Sequence, residues 1–166
     1  AGAVVKTMRD NFDRKTEGLV LNKNALDFDE VVTLASIIER ETLPGGERPL
    51  VAGILIKRLA SGWLLQADAT VQYAIASSVC ANKVADCTWW PILTREDLEI
   101  NSPYNSYKFA SLPPAPIANP GILSLKAAFS PEDSSYWYYI HDVLGKIHYA
   151  QTLEEHNSNI SRYLGK

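Results

Sequence analysis

Five prolines between Asn101 and Gly121 constrain the fold of this chain more than any other feature. They stand at positions 103, 113, 114, 116 and 120. Proline lacks the backbone N–H that helices and sheets use, so neither element can run through this segment. A stretch of about twenty residues without regular structure is usually functional or disordered. The aromatic residues Tyr104, Tyr107 and Phe109 favour an ordered loop.

Capping and stop signals divide the chain before this loop into helices. A capping box at Asp27 and a Pro-Gly-Gly stop at residues 44–46 predict a helix over about 27–42. A second helix is predicted from about 47 to 62, where a glycine ends it. Asp68 is the predicted N-cap of a third helix. The spacing of the hydrophobic residues before the helix at 27–42 predicts a helical lead-in followed by a polar connector.

The chain after the loop combines helices with a hairpin. ILSLKAAF is predicted to be helical, SYWYYIHD and KIHYA form an antiparallel hairpin, and Thr152 caps a final helix that ends near Leu164. The predicted fold class is therefore α+β, with helices packed with a short antiparallel hairpin and one long ordered loop rich in Pro, Asn and Tyr.

Composition excludes several functional classes. The net charge of −3 and the pI near 5.6 argue against a nucleic-acid partner. No apolar run approaches the roughly 18 residues that a membrane-spanning helix needs. The chain has no P-loop, GxGxxG or GxSxG motif, so NTPase, Rossmann and serine-hydrolase functions lack support. It begins at Ala rather than Met, and we expect a processed form or an excised domain.

Glu39 is the strongest catalytic candidate in the sequence. At 100° per residue it lies within about 40° of Val32 and Ala35, on the apolar side of the predicted helix. A carboxylate on a buried face is desolvated, which raises its pKa and suits a general acid. The alternative is a residue at the edge of the apolar stripe, paired with a core arginine such as Arg58. Glu41, about 200° away, is expected to face solvent or a supporting residue.

The long loop offers groups that suit carbohydrate binding. Prolines preset its backbone, and Asn and Tyr side chains supply amides and phenols that can hydrogen-bond sugar hydroxyls. A loop that merely covers the core would have the same composition, so the residues alone leave both functions open.

Cysteine and histidine residues give weaker signals. Cys80 and Cys87 either close a small disulfide, which would indicate an oxidising compartment, or remain free thiols, and we favour the disulfide. Three histidines with Asp142 lack HExxH or CxxC spacing, so no metal site is predicted.

Several strings resemble the MltG/YceG-like family, the endolytic murein transglycosylases of bacteria. ASIIERET resembles the family's ASIVEKET, and IKRLASGWLLQADATVQYAI resembles a helix ending in NRL followed by LQTDPTVIY. NSPYNSYKFASLPPAPIANPG is similar to SPYNTY followed by GLPPGPIANPG, and the C-terminal part is similar to YLYFV, GGHxF and TLxEHN. The matches span about residues 28–164. Departures from the family pattern are Lys57, Ala69, Ser111 and Ala115.

The resemblance implies a lytic transglycosylase that cuts within peptidoglycan glycan strands. It implies that the first glutamate of the Glu-x-Glu pair, Glu39, is catalytic. A protonated Glu39 would protonate the oxygen between N-acetylmuramic acid (MurNAc) and N-acetylglucosamine (GlcNAc). Its carboxylate would then take the proton of the muramyl C6 hydroxyl, which attacks C1 to give a 1,6-anhydro end. Motif positions and polar chemistry add five substrate-binding candidates: Gln66, Asp68, Tyr104, Asn105 and Asn119.

The same resemblance implies the surroundings of such an enzyme. Residues 1–26 would be a helical lead-in and connector, and residues 27–166 the YceG-like catalytic domain. The partners would be glycan strands and cell-wall synthases, with no nucleic acid, no metal and no cofactor. The location would be extracytoplasmic, with membrane contact only through an N-terminal anchor that this chain lacks.

Three other functions are weighed against this one. A noncatalytic glycan-binding module would keep the aromatic loop without releasing product. A pyridoxal-phosphate-dependent aminodeoxychorismate lyase would need a Schiff-base lysine with a phosphate cup, and no lysine here has that context. Ordinary hydrolysis would use a carboxylate pair such as Glu39 and Asp68.

Overall fold

The computed structural model describes residues 2–19, 26–43, 46–81 and 87–165. Within these ranges it has six α-helices, one 3-10 helix and one two-stranded antiparallel sheet. The helices are α1 (Gly2–Thr16), α2 (Phe28–Glu41), α3 (Arg48–Ala60), α4 (Asp68–Cys80), α5 (Ile122–Phe129) and α6 (Leu153–Leu164). The 3-10 helix is Asp97–Glu99, and the strands are β1 (Tyr138–His141) and β2 (Ile147–Ala150). The predicted α+β class is confirmed.

Helix α2 lies at the centre of the core. Its predicted capping box is present, since the Asp27 carboxylate accepts from the Glu30 N–H (2.9 Å) and the Glu30 carboxylate accepts from the Asp27 N–H (2.8 Å). Leu34, Ile37 and Ile38 have no exposed surface. This helix packs against α3, α4 and α5, so three neighbouring helices hold it in place.

A glycine lets the chain cross α3 closely. A Cβ added at Gly53 would lie 1.8 Å from the carbonyl oxygen of Glu132, a distance that no side chain tolerates. The segment after α5 therefore passes directly over α3 on its way to β1. At the end of α3, Gly62 adopts a left-handed φ of +68°, as the predicted stop signal requires.

The hairpin and α6 form a unit at one side of the helices. Tyr138 pairs with Ala150 and Tyr139 with Tyr149 in the antiparallel register. Helix α6 packs on both strands. Its predicted cap is confirmed, because the Thr152 hydroxyl accepts from the Glu155 N–H at 3.1 Å.

Two local predictions have clear outcomes. Asp68 is not the N-cap of α4: that position is Ala67, and Asp68 lies inside the first turn, so its carboxylate is free to bond elsewhere. The Cys80–Cys87 disulfide is confirmed, with Cα atoms 5.6 Å apart.

Residues 20–25 of the predicted connector lie outside the described residues. None of the described helices has the length and apolar character needed to span a membrane.

Candidate active site

A cleft of about 590 Å³ opens between the helices and the unit formed by the hairpin and α6. Its walls come from the ends of α2, α3 and α4, from the long loop, from β1 and from α6. The polar groups that line it include Glu41, Arg58, Gln66, Asp68, Tyr107 and Tyr139. Concave sites with a few convergent polar groups are where ligands usually bind in proteins.

Glu41 is the carboxylate that this cleft surrounds. The Tyr139 hydroxyl donates to Glu41 Oε2 at 3.0 Å, and the backbone N–H of Ala69 also donates to its carboxylate. Burial raises the pKa of Glu41, and the nearby negative charge of Asp68 raises it further. The hydrogen bonds and the charge of His141 oppose this but do not reverse it. A protonated Glu41 is the form that a general acid needs.

Asp68 and Tyr107 form a second polar pair in the cleft. The hydroxyl of Tyr107, which lies in the long loop, donates to Oδ1 of Asp68 in α4 at 2.5 Å. Burial raises the pKa of Tyr107, and its hydrogen bond to Asp68 raises it further, so the phenol stays protonated. The pair therefore presents an ionisable carboxylate and a neutral donor beside Glu41.

Gln66 lines the cleft and has a backbone conformation that residues other than glycine rarely adopt. Its φ is +54°, and its N–H donates to the Ser106 carbonyl at 3.1 Å. A non-glycine residue in the left-handed region costs free energy, and such residues cluster at functional sites. The structure brings Gln66 and Asp68, two of the predicted substrate-binding residues, to the same cleft.

Glu39 lies away from this cleft. Its Oε2 accepts from the Gly121 N–H (3.0 Å) and the Ser124 hydroxyl (2.6 Å) at the start of α5. Burial alone would raise its pKa, but these two hydrogen bonds and the charges of Arg48 and Arg40 outweigh it, so the pKa of Glu39 is lowered. The prediction of a raised pKa is therefore wrong. Helical spacing placed Glu39 on the apolar side but did not reveal the donors that α5 supplies.

Glu41 has supporting residues, the second of the two surroundings that the spacing predicted, because the start of α4 and strand β1 cover the last turn of α2. A helical wheel describes one helix and carries no information about what packs over its end. Tyr139 was also missed, since its role depends on where the hairpin docks. The Glu-x-Glu string was the only sequence signal that could have pointed to Glu41.

The other predicted binding residues lie outside the residues that line the cleft. Tyr104 packs on Tyr73, with ring centres 4.9 Å apart, and is partly buried. Asn119 is exposed in the long loop. Asn105 has no exposed surface, and its amide donates to the carbonyls of Leu98 (2.8 Å) and Ile100 (2.9 Å). Direct contact of Asn105 with a ligand does not fit this burial, and its side chain holds the loop that carries Tyr107.

Each of the three histidines has a side-chain neighbour. His141 Nε2 lies 3.1 Å from Glu47, and His148 Nε2 lies 2.8 Å from Asp142. His156 lines the cleft and stacks on Tyr138, with ring centres 5.0 Å apart. Within residues 2–19, 26–43, 46–81 and 87–165, no three His, Cys, Asp or Glu side chains converge as a metal site would require.

Comparisons with known proteins point to one family. The model of the YceG-like family matches residues 1–162. A protein of Bacillus subtilis (strain 168) named endolytic murein transglycosylase is 36% identical over 144 residues, and one of the same name from Streptococcus pneumoniae (strain D39) is 30% identical over 146. A crystal structure of the yceG-like protein lmo1499 from Listeria monocytogenes superimposes with a TM-score of 0.76 at 36% identity.

These matches cover most of this chain but only part of the other proteins. They span 87% of this chain and 37% and 25% of the Bacillus and Streptococcus relatives. The Listeria match spans 92% of this chain and 46% of that one.

Proposed function

The chain belongs to the YceG-like family, and we propose that it is an endolytic lytic transglycosylase of peptidoglycan. The reaction breaks the MurNAc–GlcNAc bond within a glycan strand and leaves a 1,6-anhydro-MurNAc end. Two of its relatives carry the name endolytic murein transglycosylase, which supports this substrate class. The observation that carries the proposal is a cleft built around Glu41, whose pKa is raised.

Glu41 is the proposed general acid. Because its pKa is raised by burial, a larger fraction of Glu41 than of an ordinary glutamate is protonated near neutral pH. Its proton passes to the glycosidic oxygen as the bond from MurNAc C1 to that oxygen breaks. The GlcNAc part of the strand leaves with a new hydroxyl group.

The same carboxylate then serves as the base. Once ionised, Glu41 takes the proton of the muramyl C6 hydroxyl while O6 attacks C1 and closes the anhydro ring. One bond at C1 breaks, one forms, and Glu41 ends the cycle protonated, so no water is consumed. A single group that acts first as acid and then as base needs no second catalytic carboxylate.

We place the acid at Glu41, and Glu39, which the resemblance implies, stays the alternative proposal for the catalytic residue. The pKa of Glu39 is lowered, and its Oε2 already accepts from Gly121 and Ser124, whereas the pKa of Glu41 is raised. An ionised carboxylate has no proton to give to a leaving group. Glu39 is proposed to hold the start of α5 against α2 instead.

The remaining cleft residues are proposed to bind the sugar chain. The amide of Gln66 and the Asp68–Tyr107 pair supply donors and acceptors suited to hydroxyl and acetamido groups. Tyr104 and Asn119 stay as proposed contacts outside the cleft. Asn105 is proposed to act through Tyr107, because its side-chain oxygen accepts from the Tyr107 N–H at 2.9 Å.

The deciding experiment compares two matched variants, Glu41→Gln and Glu39→Gln, by mass spectrometry of muropeptides released from purified peptidoglycan. The first should lower the release of anhydro ends about a thousandfold, as expected when a general acid is lost. The second should still release anhydro ends, although with a less stable fold. Loss of product only in Glu39→Gln would return the catalytic role to Glu39.

Hydrolysis by a carboxylate pair is a second candidate, because Asp68 lies close enough to Glu41 to shift its pKa. A water-using enzyme would leave reducing ends in place of anhydro ends. Reducing ends in the same mass spectra, lost on Asp68→Asn, would favour hydrolysis. If no product forms with the unmodified protein, the alternatives are noncatalytic glycan binding and a catalytic domain that is inactive by itself.

The setting of the enzyme is also a proposal. A substrate in the cell wall and the Cys80–Cys87 disulfide both fit action outside the cytoplasm. Cell-wall synthases are proposed as partners, and an N-terminal anchor as the link to the membrane. The division into residues 1–26 and 27–166 is likewise proposed.

A further inference from the structure

Two tryptophans form an exposed aromatic pair beside the cleft. The ring centres of Trp63 and Trp137 are 4.5 Å apart, with 32° between the ring planes. Trp63 keeps 42% of its surface exposed. A large aromatic side chain left open to solvent in this way often marks a contact surface.

Backbone hydrogen bonds hold both residues in place. The Trp63 N–H donates to the Arg58 carbonyl at 2.9 Å, directly after the left-handed turn at Gly62. The Trp137 N–H donates to the Ala150 carbonyl at 3.0 Å, and its carbonyl accepts from Arg58 Nε at 2.9 Å. The backbone segments that carry the two rings are therefore fixed before any ligand arrives, so binding would not have to order them.

A lysine lies over one of the two rings. Lys57 Nζ lies 4.3 Å from the centre of the Trp137 ring and donates to the Ser134 carbonyl at 2.7 Å. A cation over one ring stabilises the position of that ring. The exposed surface of Trp63 remains available to a ligand.

The pair continues the wall of the cleft. Tyr138, which follows Trp137, lines the cleft, and its ring centre lies 6.2 Å from that of Trp63. Gln66 lines the cleft three residues after Trp63, on the same connector between α3 and α4. A chain that leaves the cleft past Gln66 and Tyr138 would meet the exposed ring next.

We propose that Trp63 and Trp137 form a platform on which a sugar ring of the glycan strand stacks outside the cleft. The flat C–H face of a pyranose ring is apolar and packs on an aromatic face, while its hydroxyls stay in water. The proposal rests on the proposed function, since a cut within a strand requires sugars to extend beyond the cleft. It commits to an uncharged sugar unit of the strand as the occupant.

The test measures binding of peptide-free glycan strands and of a MurNAc–GlcNAc tetrasaccharide in the Glu41→Gln background. Trp63→Ala should weaken binding of long strands about tenfold, a typical loss for an aromatic anchor. Binding of the short tetrasaccharide, which has fewer sugars to extend beyond the cleft, should change much less. Trp63→Phe, which keeps a flat ring, should restore most of the affinity for long strands.

Two controls keep this test specific. Ile92 is 96% exposed and outside the pair, so Ile92→Ala should leave strand binding unchanged. Circular dichroism should show the same fold for all variants. Because the rings act as one platform, Trp137→Ala combined with Trp63→Ala should cost less than the sum of the two single losses.

Three outcomes would overturn the platform. The first is unchanged binding of long strands by Trp63→Ala. The second is an equal loss for strands and tetrasaccharide, which would indicate a damaged cleft. The third is a change of oligomeric state in light scattering, which would make the pair a protein interface. Failure of the proposed function is separate, because it would show as missing anhydro ends with the unmodified protein.

Discussion

Two glutamates one residue apart near the end of α2 have opposite pKa shifts because they face different neighbours. Glu39 accepts hydrogen bonds from the start of α5, and Glu41 is half-buried beside Asp68. Ionised Glu39 stabilises the fold above the ordinary pKa near 4.5, and this stabilisation is lost as the pH falls through its lowered pKa. For Glu41 the pH dependence of stability is reversed, because the free energy of unfolding falls as the pH rises through its raised pKa.

Tyr139→Phe should raise the pKa of Glu41, because the lost hydroxyl stabilises the ionised carboxylate. The groups that remain around Glu41 are the Ala69 N–H, Asp68, His141 and Arg58. Since the reaction starts from protonated Glu41, the alkaline limb of the profile of kcat/KM against pH should move to higher pH. The measurement is the rate of anhydro-end release across the pH range.

The matched control for this substitution is Tyr149→Phe. Tyr149 pairs with Tyr139 across the hairpin and stacks on Tyr136, and burial raises its pKa to about 12. Removing its hydroxyl should leave the alkaline limb in place. Equal shifts in both variants would mean that the hairpin as a whole, rather than the Tyr139 hydroxyl, sets the pKa of Glu41.

At the scale of elements, the disulfide secures the end of α4. Cys80 is fully buried and closes a short loop with Cys87. Replacing both cysteines with serine should lower the free energy of unfolding by about 2 kcal/mol, the loop-closure value for so short a segment. Urea unfolding of the two forms measures the difference.

A thiol assay on the unreduced protein tests whether the disulfide is present, and it should detect no free thiol. Because α4 begins at Asp68, more than three helical turns from the disulfide, release of anhydro ends should persist in the double variant. Loss of activity at unchanged stability would contradict a purely structural role for the bond.

At the scale of the whole molecule, Arg58 joins the helices to the hairpin. It is 6% exposed, and its Nη1 donates to the Leu65 carbonyl at 2.7 Å while its Nε donates to Trp137 at 2.9 Å. Lysine cannot reproduce two donors in this fixed geometry. Arg58→Lys should therefore lower the free energy of unfolding by about 2 kcal/mol.

Urea unfolding tests this as well, with Arg162→Lys as the control because Arg162 is exposed on α6. Arg58→Lys should also reduce the release of anhydro ends, since both walls of the cleft depend on the same side chain. A stable variant with a normal rate would show that other contacts hold the hairpin.

Much of the secondary structure followed from local signals. The caps at Asp27 and Thr152, the glycine stop at Gly62 and the hairpin strings SYWYYIHD and KIHYA act within a few residues, so the sequence alone carries them. The family resemblance likewise followed from short sequence motifs such as ASIIERET. Asp68 failed as a predicted cap because Ala67 takes the N-cap position of α4, and its carboxylate bonds instead to Tyr107, 39 residues away.

The sequence by itself therefore determined the helices, the hairpin and the family of this chain. Only the tertiary structure decided which glutamate faces the cleft and in which direction each pKa shifts. The pKa of a carboxyl group depends on burial and on donors and charges within a few ångströms. For Glu39 and Glu41 those donors come from α5, α4 and β1, which are distant along the chain and meet α2 only on folding.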